Sequence, residues 1–201
     1  MATETGYHNR TAERGHPGVS EAAAAKYIPR LLLEYFDRGV VRTYLYEFAD
    51  EKPDPDMKDM EQHFGLIHVD GSPMPAFVAM RNLIAVLRDP GLAFEPKGFV
   101  FTLEGDRKDT RHVLLARRDG AIDLVLWLEV PGFDVKTRQD LSVAARELTV
   151  VQGRALARAQ VYHPGQATQP ASQLDAPPTI QVRVSDDPLV VRMTPVRDPR
   201  Q

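Results

Sequence analysis

The chain has 201 residues, 43% of them hydrophobic and 26% charged, with a formal net charge of −3. That is the composition of a folded protein rather than of a disordered one. It contains no cysteine, which excludes disulfide scaffolds, thiolate metal sites, Fe–S clusters and cysteine nucleophiles. No basic run offers a footprint for nucleic acid, and no run approaches the ~20 apolar residues that span a bilayer, so neither a nucleic acid nor a membrane is expected as a partner. The opening MATETG lacks a charged segment leading into an apolar one, so no signal peptide is expected there.

In chain order, the first predicted element is a helix from Ser20 to Arg38. Ser20 suits the N-cap and Glu21 the positive end of the dipole. Ala24, Tyr27, Ile28, Leu31, Leu32 and Tyr35 fall at spacings of three or four and form an apolar stripe. Pro29 removes one interior hydrogen bond and is expected to bend the helix, and Gly39 stands where a C′ residue belongs. Val40–Phe48, rich in β-branched and aromatic residues, reads as a strand with apolar side chains on both faces, as in a strand covered on both sides. A long acidic loop follows. Phe64–Met74 reads as a short hairpin turning at Asp70-Gly71, and Pro75 opens a second helix whose stripe is Phe77, Met80, Leu83, Ile84 and Leu87.

The chain changes character at Asp89-Pro90-Gly91, where a boundary is placed: residues 1–91 and residues 92–201. Beyond it, period-2 alternation and turn signals dominate. Strands are expected near Gly98–Gly105, Arg111–Arg117, Ala121–Val130, Leu141–Val151, Ala155–Tyr162, Thr179–Ser185 and Leu189–Met193, with Gly165–Pro178 a loop. About seven strands in roughly 100 residues is the arithmetic of an antiparallel β-sandwich. The expected fold is therefore α+β in two parts: an incomplete (β/α) barrel end of about two βα units, then the sandwich.

Among carboxylates, Glu47 lies at the carboxyl end of its predicted strand, where sites form in parallel α/β structures. It is either at the mouth of such a site or an exposed or ion-paired strand terminus. Glu4 lies in the compact polar cluster Thr3–Asn9. Tyr44 and Tyr46 have the opposite parity to Glu47 and read as structural or as sugar contacts. Trp127, between Leu126 and Leu128, reads as core. His63 and His68 have no further ligands in register for a metal, and the acidic loop Asp50–Asp59 lacks the glycine-punctuated spacing of a calcium loop. No phosphate-binding glycine loop and no GxSxG is present.

Taken together, ATETGYHN, AAKYIPRLLLEYFDRG, VRTYLYEFAD and HFGLIHVDGSPMPAFVAMRNLIAVL resemble the closing segment of a retaining (β/α)8-barrel glycoside hydrolase of the cellulase-like and xylosidase-like clan. The stretch FGLIHVDGSPMPA resembles that group's approach to the last helix, with Met74 in place of the usual lysine. LLARRDGAIDLVLWLEV resembles the β-domain beside such barrels. The resemblance implies that Glu4 is the nucleophile at the end of the seventh strand, that Tyr7, His8 and Glu47 line the sugar site, and that no cofactor is used. It places the acid/base glutamate on a fourth strand that nothing in this chain matches.

Such an enzyme needs two carboxyls about 5–5.5 Å apart. The expectation is thus a C-terminal piece of a glycosidase acting on a carbohydrate, inactive alone. Met1 is then an internal or misassigned start, or the chain is a gene remnant. Its exposed edges would seek the missing barrel segment or a second copy. The alternative is a non-catalytic carbohydrate-binding or interaction module built on the sandwich.

Overall fold

The computed structural model describes residues 1–12 and 15–196. The described residues are mixed α+β, mostly strands in several antiparallel sheets, with two α-helices. It divides into two compact units: Met1–Leu83 with Val130–Val143, and Ile84–Glu129 with Ala144 onward. The division differs from the expected boundary at residue 91. It falls inside the second helix, and a fourteen-residue excursion, Val130–Val143, returns to the first unit.

In the first unit, strand β1 (Ala2–Thr5) leads through a loop to helix α1 (Glu21–Asp37) and then to β2 (Thr43–Leu45). The start of α1 is fixed as the sequence implies: the Ser20 side chain accepts a hydrogen bond from the Ala23 N–H at 3.0 Å. Its end is a Schellman arrangement. Gly39, at φ +77°, donates to the Phe36 carbonyl, and Val40 donates to that of Tyr35. The helix runs unbroken through Pro29, which is buried.

Val19, Ala23, Ala24, Ile28, Leu66, Ala76 and Phe133 form the core of this unit. Phe133 comes from the excursion, where β6 (Phe133–Asp134) and β7 (Gln139–Asp140) form a small hairpin. The Tyr27 hydroxyl accepts hydrogen bonds from the backbone N–H groups of Gly132 and Phe133, tying the hairpin to α1.

Two expectations need correction here. The run Val40–Phe48 is strand only over Thr43–Leu45, and it is not covered on both sides: Val41 is 90% exposed, Phe48 65% and Tyr44 51%. Among the described residues its partner strand is β1. Helix α2 (Pro75–Leu87) buries Ala76, Ala79, Leu83 and Val86, whereas Ile84 faces solvent. The helix is apolar nearly all round, so periodicity did not select a face. The small side chains of Ala76 and Ala79 allow the close approach that does.

The second unit holds a five-stranded and a three-stranded sheet. In chain order the strands are β3 (Phe101–Gly105), β4 (Thr110–Ala116), β5 (Ile122–Leu128), β8 (Arg146–Gln152), β9 (Leu156–Tyr162), β10 (Pro170–Asp175), β11 (Ile180–Val184) and β12 (Leu189–Pro195). The sheet orders are β10-β9-β12-β5-β4 and β11-β8-β3, with antiparallel pairing throughout. Every residue of β5 is buried. Along β11, Ile180, Val182 and Val184 are buried while Gln181 and Arg183 are exposed, the alternation of a half-buried strand. Trp127 is 1% exposed, with its indole N–H donating to Glu129 at 2.8 Å.

Strand β10 lies where a loop was expected. It is an edge strand with almost every residue exposed, so it carries no apolar alternation, and Pro170 sits at its irregular start. Among the described residues, no helix is long and apolar enough to cross a membrane.

Candidate functional site

Strands β1 and β2 are parallel, with Ala2 opposite Thr43 and Thr5 opposite Leu45. Their carboxyl ends therefore open in one direction. The Ala2 N–H donates to the Arg42 carbonyl, and the Tyr46 N–H to the Thr5 carbonyl, both at 2.9 Å. Just beyond β1, Gly6 (φ +156°) lies against the Tyr46 backbone. A Cβ there would stand 2.7 Å from the Tyr46 carbonyl oxygen, so only glycine lets the two chains run this close.

Glu4, the penultimate residue of β1, is exposed, and Glu47 follows β2 by two residues. The two carboxylates thus belong to the same end of adjacent strands. The Glu47 backbone donates to the Phe64 carbonyl at 3.1 Å, while its Oε1 is buried without a hydrogen-bond partner. Burial pushes the Glu47 carboxyl above its usual range, and the nearby charges of Glu51, Asp50 and Glu61 push the same way.

The loop after β1 places the other expected residues. His8 is 8% exposed, and its ring meets the edge of Phe64 with centroids 5.1 Å apart. Its carbonyl accepts from the Val19 N–H, and its Nδ1 is buried without a partner. Burial lowers its pKa, helped by the positive charge of Arg10 and by His63 and His16, so the ring favours the neutral form. Tyr7 points elsewhere: its ring packs on Tyr27, centroids 5.3 Å apart, at the margin of the core.

Residues that sequence reasoning left in a solvated acidic loop complete the cluster. A 3-10 turn, Met60–Gln62, is capped by Asp59, whose side chain accepts from the Glu61 N–H. It brings Glu61 within 3.3 Å of the Tyr46 hydroxyl. His63 Nε2 lies 3.2 Å from Asp54, whose carboxyl is held below its usual range mainly by the backbone N–H of Asp59. Phe64 lies edge-on to both Tyr46 and His8. The nine-residue spacing of Asp54 and His63 was visible in the sequence, but the fold of the loop that joins them was not. Met74 is buried and its sulfur accepts from the Asn9 amide at 3.2 Å. Among the described residues, no group of three or more His, Cys, Asp or Glu side chains could hold a metal ion.

Chemically, this end of the sheet presents one open carboxylate, one carboxyl whose hold on its proton is strengthened, and an aromatic-lined imidazole that favours its neutral form.

No protein-family model and no curated protein matches the chain. Among solved structures, it is similar to a family 39 glycoside hydrolase from the gut symbiont Bacteroides cellulosilyticus WH2, at 15% sequence identity and a TM-score of 0.47. The similarity covers 96% of this chain and 33% of that one, so this chain spans about a third of that protein's length.

Proposed function

We propose that the first unit, Met1–Leu83 with Val130–Val143, is the closing part of a (β/α)8 glycosidase barrel and the second unit its β-sandwich, working within a longer protein that cleaves O-glycosidic bonds with retention. One observation carries this reading. Glu4 lies one residue from the end of a strand that runs parallel to β2, with helix α1 between them in the chain and Glu47 at the same end. That order, strand–helix–strand with carboxyl groups at the strands' carboxyl ends, is how barrel sites are built. The bare outer edges of β1 and β2 and the exposed Val41, Tyr44 and Phe48 are also what a sheet without its neighbours presents.

In this reading the Glu4 carboxylate attacks the anomeric carbon as a carboxylic acid outside this chain protonates the departing oxygen. A covalent glycosyl ester forms. The same outside residue, now a carboxylate, then takes a proton from water, which attacks the anomeric carbon and frees Glu4. The Glu47 carboxyl hydrogen-bonds a sugar hydroxyl, while His8 shapes the wall. Without its acid partner and most of the cleft, the 201-residue chain loses most of its rate and is expected to be inactive alone. The rival reading, a binding module with an aromatic platform on the larger sheet, has little support, because Trp127 is buried.

The test uses a panel of chromogenic glycosides and a 2-fluoro glycoside, which traps the glycosyl ester. The isolated chain should turn over nothing. A longer protein translated from in-frame sequence ahead of Met1 should be active and become labelled on Glu4, and E4Q should abolish both. Labelling at another carboxylate, or full activity in E4Q, overturns the assignment.

A further inference from the structure

A cleft of 1270 Å³ in the second unit lies far in sequence from Glu4 and Glu47 and plays no part in the chemistry above. Its floor is the polar end of the five-stranded sheet, where Gln160 and Arg192 line the space on neighbouring strands and buried Asp123 stands beside Arg192 on the next. Small residues, Ala116, Gly120, Ala121 and Ala157, keep that floor shallow, and Phe94 stands at one wall. Six cationic side chains face the space against two carboxylates, Glu95 and Asp119.

The inner cations are already matched. Arg192 donates to both oxygens of buried Asp123, and Arg117 donates to one of them at 3.0 Å. Arg118 is held by Asp89 and by the carbonyls of Gly91 and Leu92. The outer pair is different. Arg154 and Arg158 are exposed, and neither makes an ion pair among the described residues; Arg154 lies only over the Phe99 ring, 5.1 Å from its centroid. Two guanidinium forks with no carboxylate of their own therefore flank a cleft whose floor is electrically balanced.

We infer that this cleft binds an acidic oligosaccharide, through sugar-borne carboxylate or sulfate groups on Arg154 and Arg158. Planar guanidinium groups match both anions with paired hydrogen bonds. The volume exceeds what one small anion needs and suits several sugar rings. A sugar rather than another polyanion follows from the glycosidase reading, on which this inference rests, and the chain's overall negative charge disfavours nucleic acid.

Calorimetric titration of the 201-residue chain tests it with four probes of similar length: an oligogalacturonate, a sulfated dextran oligosaccharide, a neutral xylo-oligosaccharide and a single-stranded oligonucleotide. The acidic sugars should bind, and the tighter of the two identifies the anion. R154A/R158A should weaken that binding at least about tenfold, and R154K/R158K should restore it only in part. Equal binding of the neutral sugar, indifference to R154A/R158A, no binding of either acidic sugar, or a preference for the oligonucleotide each overturns the inference. Failure of the glycosidase reading is seen separately, in the trapping of Glu4.

Discussion

The Tyr27 hydroxyl lies 2.7 Å from the backbone nitrogen of Gly132, 105 residues further along the chain. Gly132 and Phe133 are both buried, and this single oxygen serves both of their N–H groups. Replacing Tyr27 by Phe keeps the ring and its packing on Tyr7 but orphans two donors. Y27F is expected to cost about 1–3 kcal/mol, seen as a lower urea midpoint with an unchanged slope.

Asp123 is 1% exposed and is shared by Arg117 and Arg192. Removing its charge leaves two guanidinium groups facing each other with little water. D123N should therefore destabilise the chain by about 3–5 kcal/mol. D123E, which keeps the charge but adds a methylene to a filled site, should cost less. Equal losses in the two variants would mean that shape, not charge, holds this cluster together.

Two glycines should respond to alanine for opposite reasons. At Gly18 a Cβ would meet the carbonyl oxygens of Arg10 and His8 and, at 2.6 Å, the His8 Nδ1, so the loop after β1 must shift. At Gly39 nothing lies within 4 Å, and the cost is only that of placing a side chain at φ +77°. G39A should cost about 1–2 kcal/mol. G18A should cost more and should also release the His8 ring, visible as a return of its NMR titration toward the free-histidine range.

Acid should act through His8 and Glu47 with opposite signs. The His8 pKa lies below that of an unfolded histidine, about 6.5. Below that value the unfolded chain takes the proton more readily than the folded one, so this contribution to stability is lost as pH falls toward the folded pKa. H8Q should flatten the loss. The Glu47 carboxyl lies above the usual value of about 4.3. Its penalty is absent below that value and grows as pH rises through the folded pKa. E47Q should accordingly be more stable than the parent at neutral pH, with the gap closing in acid. Unfolding midpoints between pH 4 and 7.5 decide both.

How much of this was readable in advance depended on how local each signal was. Helix α1 was legible because its cap residue, its stripe and its terminating glycine all lie within twenty residues. The strands of the second unit were legible where one face is buried, and β10 was not, because an exposed edge strand has no apolar rhythm. The stripe of α2 was legible at Phe77, Met80 and Leu83 and failed at Ile84, while buried Ala76 and Ala79 went unnoticed because alanines carry little weight in a hydrophobic pattern.

At the candidate site, the placement of Glu4 at a strand end near Glu47 came only from the family resemblance; the residues by themselves left Glu4 in a polar cluster. The association of Glu61 with Tyr46, and of His63 with Asp54, depended on how an acidic loop folds back, which local patterns do not encode. Nor did any local pattern announce that Val130–Val143 would leave the larger sheets to complete another core.

Among the described residues, strands β1 and β2 pair as strands with each other alone, so over its own length each leaves one row of backbone amides and carbonyls open, beside exposed Tyr44. Such a margin templates further chain. Concentrated stocks of the isolated polypeptide should scatter more light with time. Dilution, or a short lysine-flanked peptide laid along that margin, should slow the growth.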